Sequence, residues 1–339
     1  MAKGTVMKKI LNNPVDYVDE MLAGLTAAHP EFYRLAGDSG RVVARGVPGK
    51  PGKVGIVSGG GSGHLPVFTG YVGPGLLDSC AIGDVFASPS AEQMADSIRA
   101  ADSGAGVLRL YGNYGGDIMN FDMAGDLVEF EDIRCTTVIL ADDIASAPPA
   151  EAAKRRGVAG MVYGFKIAGA AAEAGLDLDG VTRVAQKAAD ATRSVGAALS
   201  SCTVPQAGKP TFNIGEDEME MGMGIHGEPG VWRDKLRPAD AIAEEMMDRL
   251  LADMPLASGD RVSILVNSLG ATPPEELYIL YRIVKARLES AGAEIVMPLV
   301  GRYATSMEMA GVSFTLIKLD AELEGFLKAP CDCAFWSVK

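Results

Sequence analysis

The stretch VGIVSGGGSGH at residues 54–64 decides the fold class, because an apolar strand pattern runs directly into a loop of glycine and serine. Val54-Gly55-Ile56-Val57 predicts a short buried strand. In open α/β sheets, ligands collect in the loops that leave the carboxyl ends of strands. The loop has neither the Lys-Ser/Thr pair of a P-loop nor the GxGxxG spacing. We therefore interpret it as a ligand-binding loop of another kind, ending in His64.

The same alternation of strand, glycine loop and helix recurs twice downstream. Residues 107–111 predict a strand, GNYGGD (112–117) a loop and residues 118–130 a helix. A third strand at 136–140 ends in Asp142-Asp143, which could hold a metal but is more commonly a cap or turn. This alternation predicts an α/β fold with a largely parallel sheet, followed by helices at 167–175 and 178–199. Asp117 would sit near a helix N-terminus, where a carboxylate is stabilised, although a plain N-cap would also explain it.

A second α/β alternation follows residue 258. It contains predicted strands at 262–266, 295–300 and 313–317 and a helix at 274–291. A chain of 339 residues is long enough for two domains. We predict an N-terminal domain over residues 1–200 and a smaller C-terminal domain over 201–339.

The segment MGMGIHGEPG (221–230) holds His226, one of only three histidines in the chain. The flanking glycines allow backbone and solute to approach the imidazole closely. A neutral imidazole is a fair nucleophile toward a carbonyl carbon near neutral pH, although a surface loop with an idle histidine is an equal alternative. Gly222-x-Gly224-x-x-Gly227 matches the dinucleotide spacing but lacks a clear strand and helix around it, so we interpret it as coincidence.

Composition excludes several classes of protein. The net charge is −13 and the pI about 4.8, which argues against nucleic acid or an anionic membrane as a partner. No apolar run reaches membrane-spanning length. The five cysteines form no CxxC pair, so reduced thiols in a cytoplasmic protein are expected. Cys331-x-Cys333 lacks a second ligand pair, and we predict no metal site.

Several motifs together resemble the substrate-binding subunit of dihydroxyacetone kinase, the DhaK family. They are SGGGSGH (58–64), GYVGPGLLD (70–78), GNYGGDIMNF (112–121), RRGVAG (155–160), GFKIAGAAAEAG (164–175), CTVPQAGKP (202–210), MGMGIHGEPG (221–230), SGDRVSILVNSLGATPPEELY (258–278) and GRYATSMEM (301–309). The resemblance runs from about Ile10 to about Pro330. It implies two α/β domains, a homodimer, and binding of a small ketose.

The resemblance also implies roles for the residues singled out above. His226 would form a reversible covalent hemiaminal with the ketone carbon, and His64 would act as general base on the hydroxyl that is phosphorylated. Asp117 would hydrogen-bond that hydroxyl and help to deprotonate it. The backbone around Gly61, Ser62 and Gly63 would hold substrate oxygens.

Two departures from the family pattern bear on the substrate. Leu65 replaces the glutamate of GSGHEP, and Gly112 replaces the lysine of KNYTGD, which touches substrate in the family. Loss of that lysine removes a charged donor and is expected to open space at Gly112. An alternative substrate is therefore a four-carbon ketose such as erythrulose.

The resemblance implies that this chain binds no cofactor itself. Mg-ATP or Mg-ADP would bind to a DhaL-like partner, which in the family is either a fused domain or a separate subunit. The residues after Pro330 are too few to form such a domain, so we expect a separate subunit. The phosphoryl donor could be ATP or a phosphotransferase-system protein. Another alternative is a ketose-sensing coactivator without kinase activity, since the family contains such paralogues.

Overall fold

The computed structural model describes residues 8–339. Within that range the chain forms eight α-helices. They are Tyr17–Ala28 (α1), Ala91–Ala101 (α2), Gly115–Glu129 (α3), Met161–Glu173 (α4), Leu178–Asp190 (α5), Ala239–Asp253 (α6), Pro274–Ser290 (α7) and Ala321–Lys328 (α8). None of these helices is both long and apolar enough to cross a bilayer.

The strands of the same range are distributed over two large sheets and two small hairpin-like pairs. They are Tyr33–Ala36 (β1), Val42–Arg45 (β2), Gly55–Ser62 (β3), Ser79–Val85 (β4), Val107–Gly112 (β5), Cys135–Leu140 (β6), Thr192–Ala198 (β7), Thr203–Val204 (β8), Lys209–Pro210 (β9), Glu218–Met221 (β10), Trp232–Lys235 (β11), Arg261–Ser268 (β12), Glu294–Ile295 (β13), Leu299–Gly301 (β14), Gly311–Leu319 (β15), Cys331–Cys333 (β16) and Trp336–Val338 (β17).

The first large sheet has the order β1-β2-β4-β3-β5-β6. Strands β4, β3, β5 and β6 are parallel, and β1 and β2 extend the sheet in antiparallel fashion. The carboxyl ends of parallel strands lie at one edge of a sheet, so the glycine loops after β3 and β5 are neighbours. The predicted α/β fold with a largely parallel sheet is confirmed here.

The second sheet has the order β11-β10-β7-β15-β12-β13, with β14 also on β12. Its pairings are antiparallel except for β13 and β14, which run parallel to β12. The expected parallel character therefore belongs to the first sheet. The predicted boundary at residue 200 falls directly after β7, which is already a strand of the second sheet.

Helices form three layers around the two sheets. Apolar residues of α2 and α3 pack on one face of the first sheet, and those of α6 and α7 pack on one face of the second. Helices α4 and α5 lie between the sheets and share one core with both. A hydrogen bond of 2.8 Å between the hydroxyls of Tyr163 on α4 and Ser263 on β12 joins this middle layer to the second sheet.

Two elements differ from the sequence expectation. The helix predicted over 178–199 ends at Asp190, and Thr192–Ala198 forms β7 between β10 and β15. The alanines of this segment suit a helix by propensity, but they are buried in mid-sheet, where packing overrides propensity. The strand predicted over 295–300 is instead two short strands, β13 and β14.

Candidate active site

Strand β3 continues through the glycine run to Ser62, five residues further than its apolar pattern predicts. Glycine is required here because neighbouring atoms lie where side chains would be: a Cβ on Gly60 would lie 2.3 Å from the Phe68 ring, and one on Gly61 would lie 2.7 Å from the Phe86 Cα. Gly63 then takes a positive φ of 105°, which turns the chain at the strand end. This turn leads into His64.

His64 is buried, with 1% of its surface exposed. Its Nδ1 lies 2.7 Å from the carbonyl oxygen of Thr305, on the segment between β14 and β15. Burial, together with the nearby charge of His226, lowers the pKa of His64 to about 3. His64 is therefore a neutral imidazole whose Nε2 carries the lone pair.

The His226 loop connects β10 to β11 and is folded around Glu228. The Glu228 carboxylate accepts hydrogen bonds from His226 Nδ1 at 2.8 Å and from the His226 backbone N–H at 2.9 Å. Burial acts to raise the pKa of Glu228, but these bonds and the charge of His226 outweigh it and lower the pKa to about 2. Glu228 is thus an ionised group that holds the imidazole of His226 in place through its Nδ1 atom, on the side opposite Nε2.

The structure brings His64 and His226 into direct contact, although 162 residues separate them in the chain. Their Nε2 atoms lie 3.1 Å apart, and the two rings are nearly perpendicular. His226 retains 23% side-chain exposure, so a small solute can reach it.

Two aromatic rings enclose the histidine pair. Phe86 is stacked on His64 and meets His226 edge-on, and Tyr114 meets His226 edge-on at 4.8 Å between ring centroids. Phe86 holds a φ of 59°, an unusual conformation for a bulky residue that recurs at functional sites. The rings keep bulk water from two sides of the imidazoles.

Asp117 lies in the first turn of α3 and is largely buried, at 6% exposure. Ser88 donates a hydrogen bond to its carboxylate. Burial raises the pKa of Asp117 to about 6, against the opposing effects of the Ser88 hydroxyl and of the charge on His226. A carboxylate with such a pKa is suited to accept a proton near neutral pH.

The other residues predicted for the site are Ser62 and Gly63, next to His64, and Gly112, next to Tyr114. Ser62 and Gly63 use their carbonyl oxygens internally, accepting from the N–H groups of Phe86 and Met307. Gly112 ends β5, and a Cβ there would lie 3.2 Å from Met161 Sδ and 3.3 Å from the Tyr114 ring. The space expected beside Gly112 is therefore largely filled by these two side chains.

The Asp142-Asp143 pair serves the fold. Asp142 accepts hydrogen bonds from the backbone N–H groups of Val158 and Gly160, and Asp143 is paired with Arg156. Within residues 8–339, no cluster of three or more His, Cys, Asp or Glu side chains is arranged to hold a metal ion.

Sequence reasoning missed three contributors to the site: Glu228, Thr305 and Phe86. Glu228 could have been found, because a carboxylate two residues after a loop histidine is well placed to orient it. Thr305 acts through a backbone carbonyl, and Phe86 through an unusual φ, so residue type gives no signal for either.

The chain is similar to several known proteins. The chain is 46% identical over 332 residues to the dihydroxyacetone-binding subunit DhaK of PTS-dependent dihydroxyacetone kinase 1 from Listeria innocua, covering 97% of this chain and 100% of the relative. It is 46% identical over 326 residues to the D-erythrulose kinase of Mycolicibacterium smegmatis, covering 96% of this chain and 56% of that relative. The crystal structure of the dihydroxyacetone kinase of C. freundii matches with a TM-score of 0.89 at 33% identity, over 98% of this chain and 60% of that one. A family model described as the Dak1 domain matches residues 23–335, and the chain belongs to this family.

Proposed function

We propose that this chain is the ketose-binding subunit of a dihydroxyacetone-type kinase, a phosphotransferase. It captures the sugar covalently through His226 and presents a hydroxyl group for phosphorylation. The observation that carries this proposal is the contact between His64 and His226, with Glu228 behind the nucleophile. This arrangement places a nucleophile beside a second group that can move a proton.

A covalent anchor suits so small a substrate. A three-carbon sugar offers few noncovalent contacts, so contacts alone would bind it weakly and leave it free to tumble. A bond from His226 Nε2 to the ketone carbon fixes the orientation, which is what phosphoryl transfer chiefly requires. The same bond rejects glycerol, which has no electrophilic carbon.

His64 and Asp117 are proposed to act on the hydroxyl that receives the phosphoryl group. His64 is neutral and buried, and the raised pKa of Asp117 suits a base. The backbone at Gly61, Ser62 and Gly63 is proposed to hold sugar oxygens, and Gly112 to border the sugar. The chain is proposed to bind no cofactor of its own.

The nucleotide is proposed to sit on a DhaL-like partner subunit with its magnesium ion, and this chain to form a homodimer. Phosphorylation would then require both subunits. The relative from Listeria innocua is itself named as the dihydroxyacetone-binding subunit of a PTS-dependent dihydroxyacetone kinase.

The proposal is tested by ¹³C NMR with dihydroxyacetone labelled at the carbonyl carbon. Hemiaminal formation moves that resonance from the carbonyl region to the tetrahedral region, and H226A should abolish the shift. H29A is the matched control, because His29 lies outside the site. Absence of a protein-dependent resonance in the tetrahedral region, with the wild-type protein at saturating sugar, would overturn covalent capture. Formation of sugar phosphate after addition of a nucleotide-binding subunit and Mg-ATP separates a kinase from a ketose sensor.

A four-carbon ketose is a second candidate substrate, since a 46% identical relative is named as a D-erythrulose kinase. Gly112 alone does not argue for it, because Met161 and Tyr114 fill the adjacent space. The ratio of kcat/KM for erythrulose to that for dihydroxyacetone decides between the sugars. A strong preference for the triose would exclude the four-carbon candidate.

A further inference from the structure

A segment of the second sheet reaches across to the loop that carries His64. Residues 303–307, called the bridging segment below, lie between β14 and β15. The N–H of Thr305 donates to the His64 carbonyl oxygen at 3.3 Å, and that of Met307 donates to the Gly63 carbonyl oxygen at 2.7 Å. The Thr305 carbonyl oxygen also accepts from the His64 ring at Nδ1. The bridging segment therefore holds His64 by its backbone and by its imidazole.

The Thr305 side chain adds a further contact with this loop. Its hydroxyl oxygen lies 3.1 Å from the Leu65 carbonyl oxygen and 3.3 Å from that of Gly63, and Thr305 is buried. A hydroxyl group has one hydrogen to donate, so the two carbonyl groups share it. They belong to the residues before and after His64. The Thr305 hydroxyl therefore fixes the main chain on both sides of the histidine.

Asn267 of β12 fixes the bridging segment in turn. Its Oδ1 accepts hydrogen bonds from the backbone N–H groups of Tyr303 and Ala304 at 2.8 and 2.9 Å. Its Nδ2 donates to the Ala304 carbonyl oxygen at 2.7 Å and to the Ser313 hydroxyl at 3.0 Å. An asparagine amide can accept two hydrogen bonds and donate two, so its full capacity is used. Asn267 is fully buried, so water does not compete for these positions.

Every backbone hydrogen-bonding group of residues 303–305 has a partner. Asn267 takes three of the six groups, His64 takes two, and the Tyr71 hydroxyl donates to the last at 2.7 Å. A buried, irregular segment needs such complete pairing, because an unpaired buried group is costly. Asn267 is therefore the largest single determinant of where the bridging segment lies.

The loop does not hold this conformation by itself. Gly63, directly before His64, has a φ of 105°, and glycine adopts many other backbone conformations at little cost. Within residues 8–339, the Thr305 carbonyl oxygen is the hydrogen-bond partner of His64 Nδ1. The orientation of the imidazole thus depends on the bridging segment. Displacing a reacting group by about 1 Å can cost about a hundredfold in rate.

We propose that Asn267 is a positioning residue for phosphoryl transfer, acting through Thr305 on the orientation of His64. The inference rests on the proposed function, in which His64 acts on the hydroxyl that receives the phosphoryl group. The Asn267 amide is fully occupied and touches none of the reacting groups. Covalent capture belongs to His226, which Glu228 holds by a separate hydrogen bond. Loss of Asn267 should therefore lower kcat much more than it weakens capture of the sugar.

The first test compares N267A with S263A on the same strand. Ser263 is also fully buried and bonds to the Tyr163 hydroxyl and the Met297 carbonyl oxygen, both outside the bridging segment. Sugar phosphate formation is measured with the full chain, a nucleotide-binding subunit and Mg-ATP, and capture is measured by the ¹³C adduct. We expect N267A to lower kcat by about tenfold or more while the dissociation constant of the sugar changes by less than about threefold. S263A should leave both unchanged although it lowers the melting temperature.

A second pair of variants tests the Thr305 hydroxyl, and this pair decides if N267A fails to fold in a thermal melt. T305V keeps the shape of the side chain but cannot donate to the loop, whereas T305S keeps the hydroxyl and loses only the methyl group. We expect kcat to fall by about threefold or more in T305V and to stay close to the wild-type value in T305S. A T305S variant as slow as T305V would show that the hydroxyl does not position the loop.

The ring N–H of His64 gives a readout that is independent of turnover. A carbonyl oxygen only accepts, so His64 Nδ1 bears the hydrogen, and the buried bond to Thr305 should protect it from exchange with solvent. ¹H–¹⁵N NMR of the ring-labelled chain without sugar should show this signal in the wild type, S263A and T305S, assigned by its absence in H64A. N267A and T305V should lose the signal through faster exchange.

Either a retained ring signal or an unchanged kcat in N267A would overturn the inference. Losses of capture and kcat of equal size would overturn it as well, because they would indicate general damage to the site. A wild-type chain that shows the protected ring N–H but forms neither the ¹³C adduct nor sugar phosphate would overturn the proposed function alone. The ring signals of N267A and S263A would then still decide whether Asn267 orients His64.

Discussion

The ring of Phe86 lies stacked on the imidazole of His64, with centroids 4.9 Å apart and planes 21° from parallel. Phe86 reaches this position only with a left-handed backbone, at φ 59°. The site therefore contains backbone strain that is held in place by packing on both histidines.

Comparing F86A with F86G should reveal that strain. Both variants lose the ring, but alanine keeps the left-handed penalty and glycine does not, so F86G should be more stable than F86A by about 1 kcal/mol in urea unfolding. Both should capture dihydroxyacetone more weakly, because the imidazoles lose the same wall. Equal unfolding free energies for the two variants would contradict the strain.

The turnover rate should fall in acid as Asp117 is protonated. A base acts only when ionised, and burial places the pKa of Asp117 at about 6, so kcat should decline as pH falls through about 6. The Ser88 hydroxyl stabilises the carboxylate and acts to lower this pKa. S88A should therefore move the acid limb of the kcat profile to higher pH. An acid limb in the same place would show that another group controls it.

Gly224 is predicted to be essential for the orientation of His226. A Cβ at this position would lie 2.1 Å from Glu228 Oε2 and 2.6 Å from Arg156 Nη1, so G224A should displace Glu228 from the imidazole. We expect sugar capture, measured by the ¹³C adduct, to weaken at least tenfold while the fold persists. G24A, in α1 with open space around the added methyl group, is the matched control. Unchanged sugar capture in G224A would show that the position of Glu228 does not control the reactivity of His226.

Asp253 at the end of α6 should be important for stability. Arg155 donates two hydrogen bonds to it and Arg193 a third, and Arg155 is 1% exposed. D253N leaves the buried Arg155 and the partly exposed Arg193 without this counterion and should cost about 3 kcal/mol of unfolding free energy, mostly through Arg155. D248N on the same helix, which breaks an exposed pair with Arg287, should cost less than about 1 kcal/mol.

The pH dependence of this effect has a definite sign. Burial acts to raise the pKa of Asp253, but Arg155 and Arg193 outweigh it and hold the pKa below its ordinary value. The stabilisation is therefore present at neutral pH and is lost as pH falls through the lowered pKa. The difference between wild type and D253N should shrink in acid. A constant difference would contradict the assignment of the ion pair.

The sequence predicted those parts of the molecule for which residue type or a motif is characteristic of one structure. The strand-to-glycine transitions at 54–64 and 107–117 indicated the first sheet and its ligand edge, because glycine at a strand end has a specific steric use. The resemblance to DhaK pointed to His64, Asp117 and His226 as one site. Propensity failed at Thr192–Ala198, where alanines suited to a helix form a buried strand.

What the sequence could not provide was the environment of each group. The 3.1 Å contact of the two imidazoles depends on β3 and the loop after β10 meeting across two sheets, and no local pattern encodes such a meeting. The raised pKa of Asp117 comes from burial, which only the fold defines. The packing of Met161 and Tyr114 beside Gly112 likewise altered what a missing lysine implies.

Helices α4 and α5 lie between the two sheets and cover the inner face of each. Without these helices, both inner faces would be exposed to solvent. Cutting the polypeptide near residue 200 would give two fragments. The C-terminal fragment could bury the inner face of its sheet only by binding α4 and α5 of the N-terminal fragment. We accordingly expect one cooperative melting transition rather than two. The contact between His64, at the end of a strand of the first sheet, and His226, in a loop of the second, would then be lost at the same temperature as the whole fold.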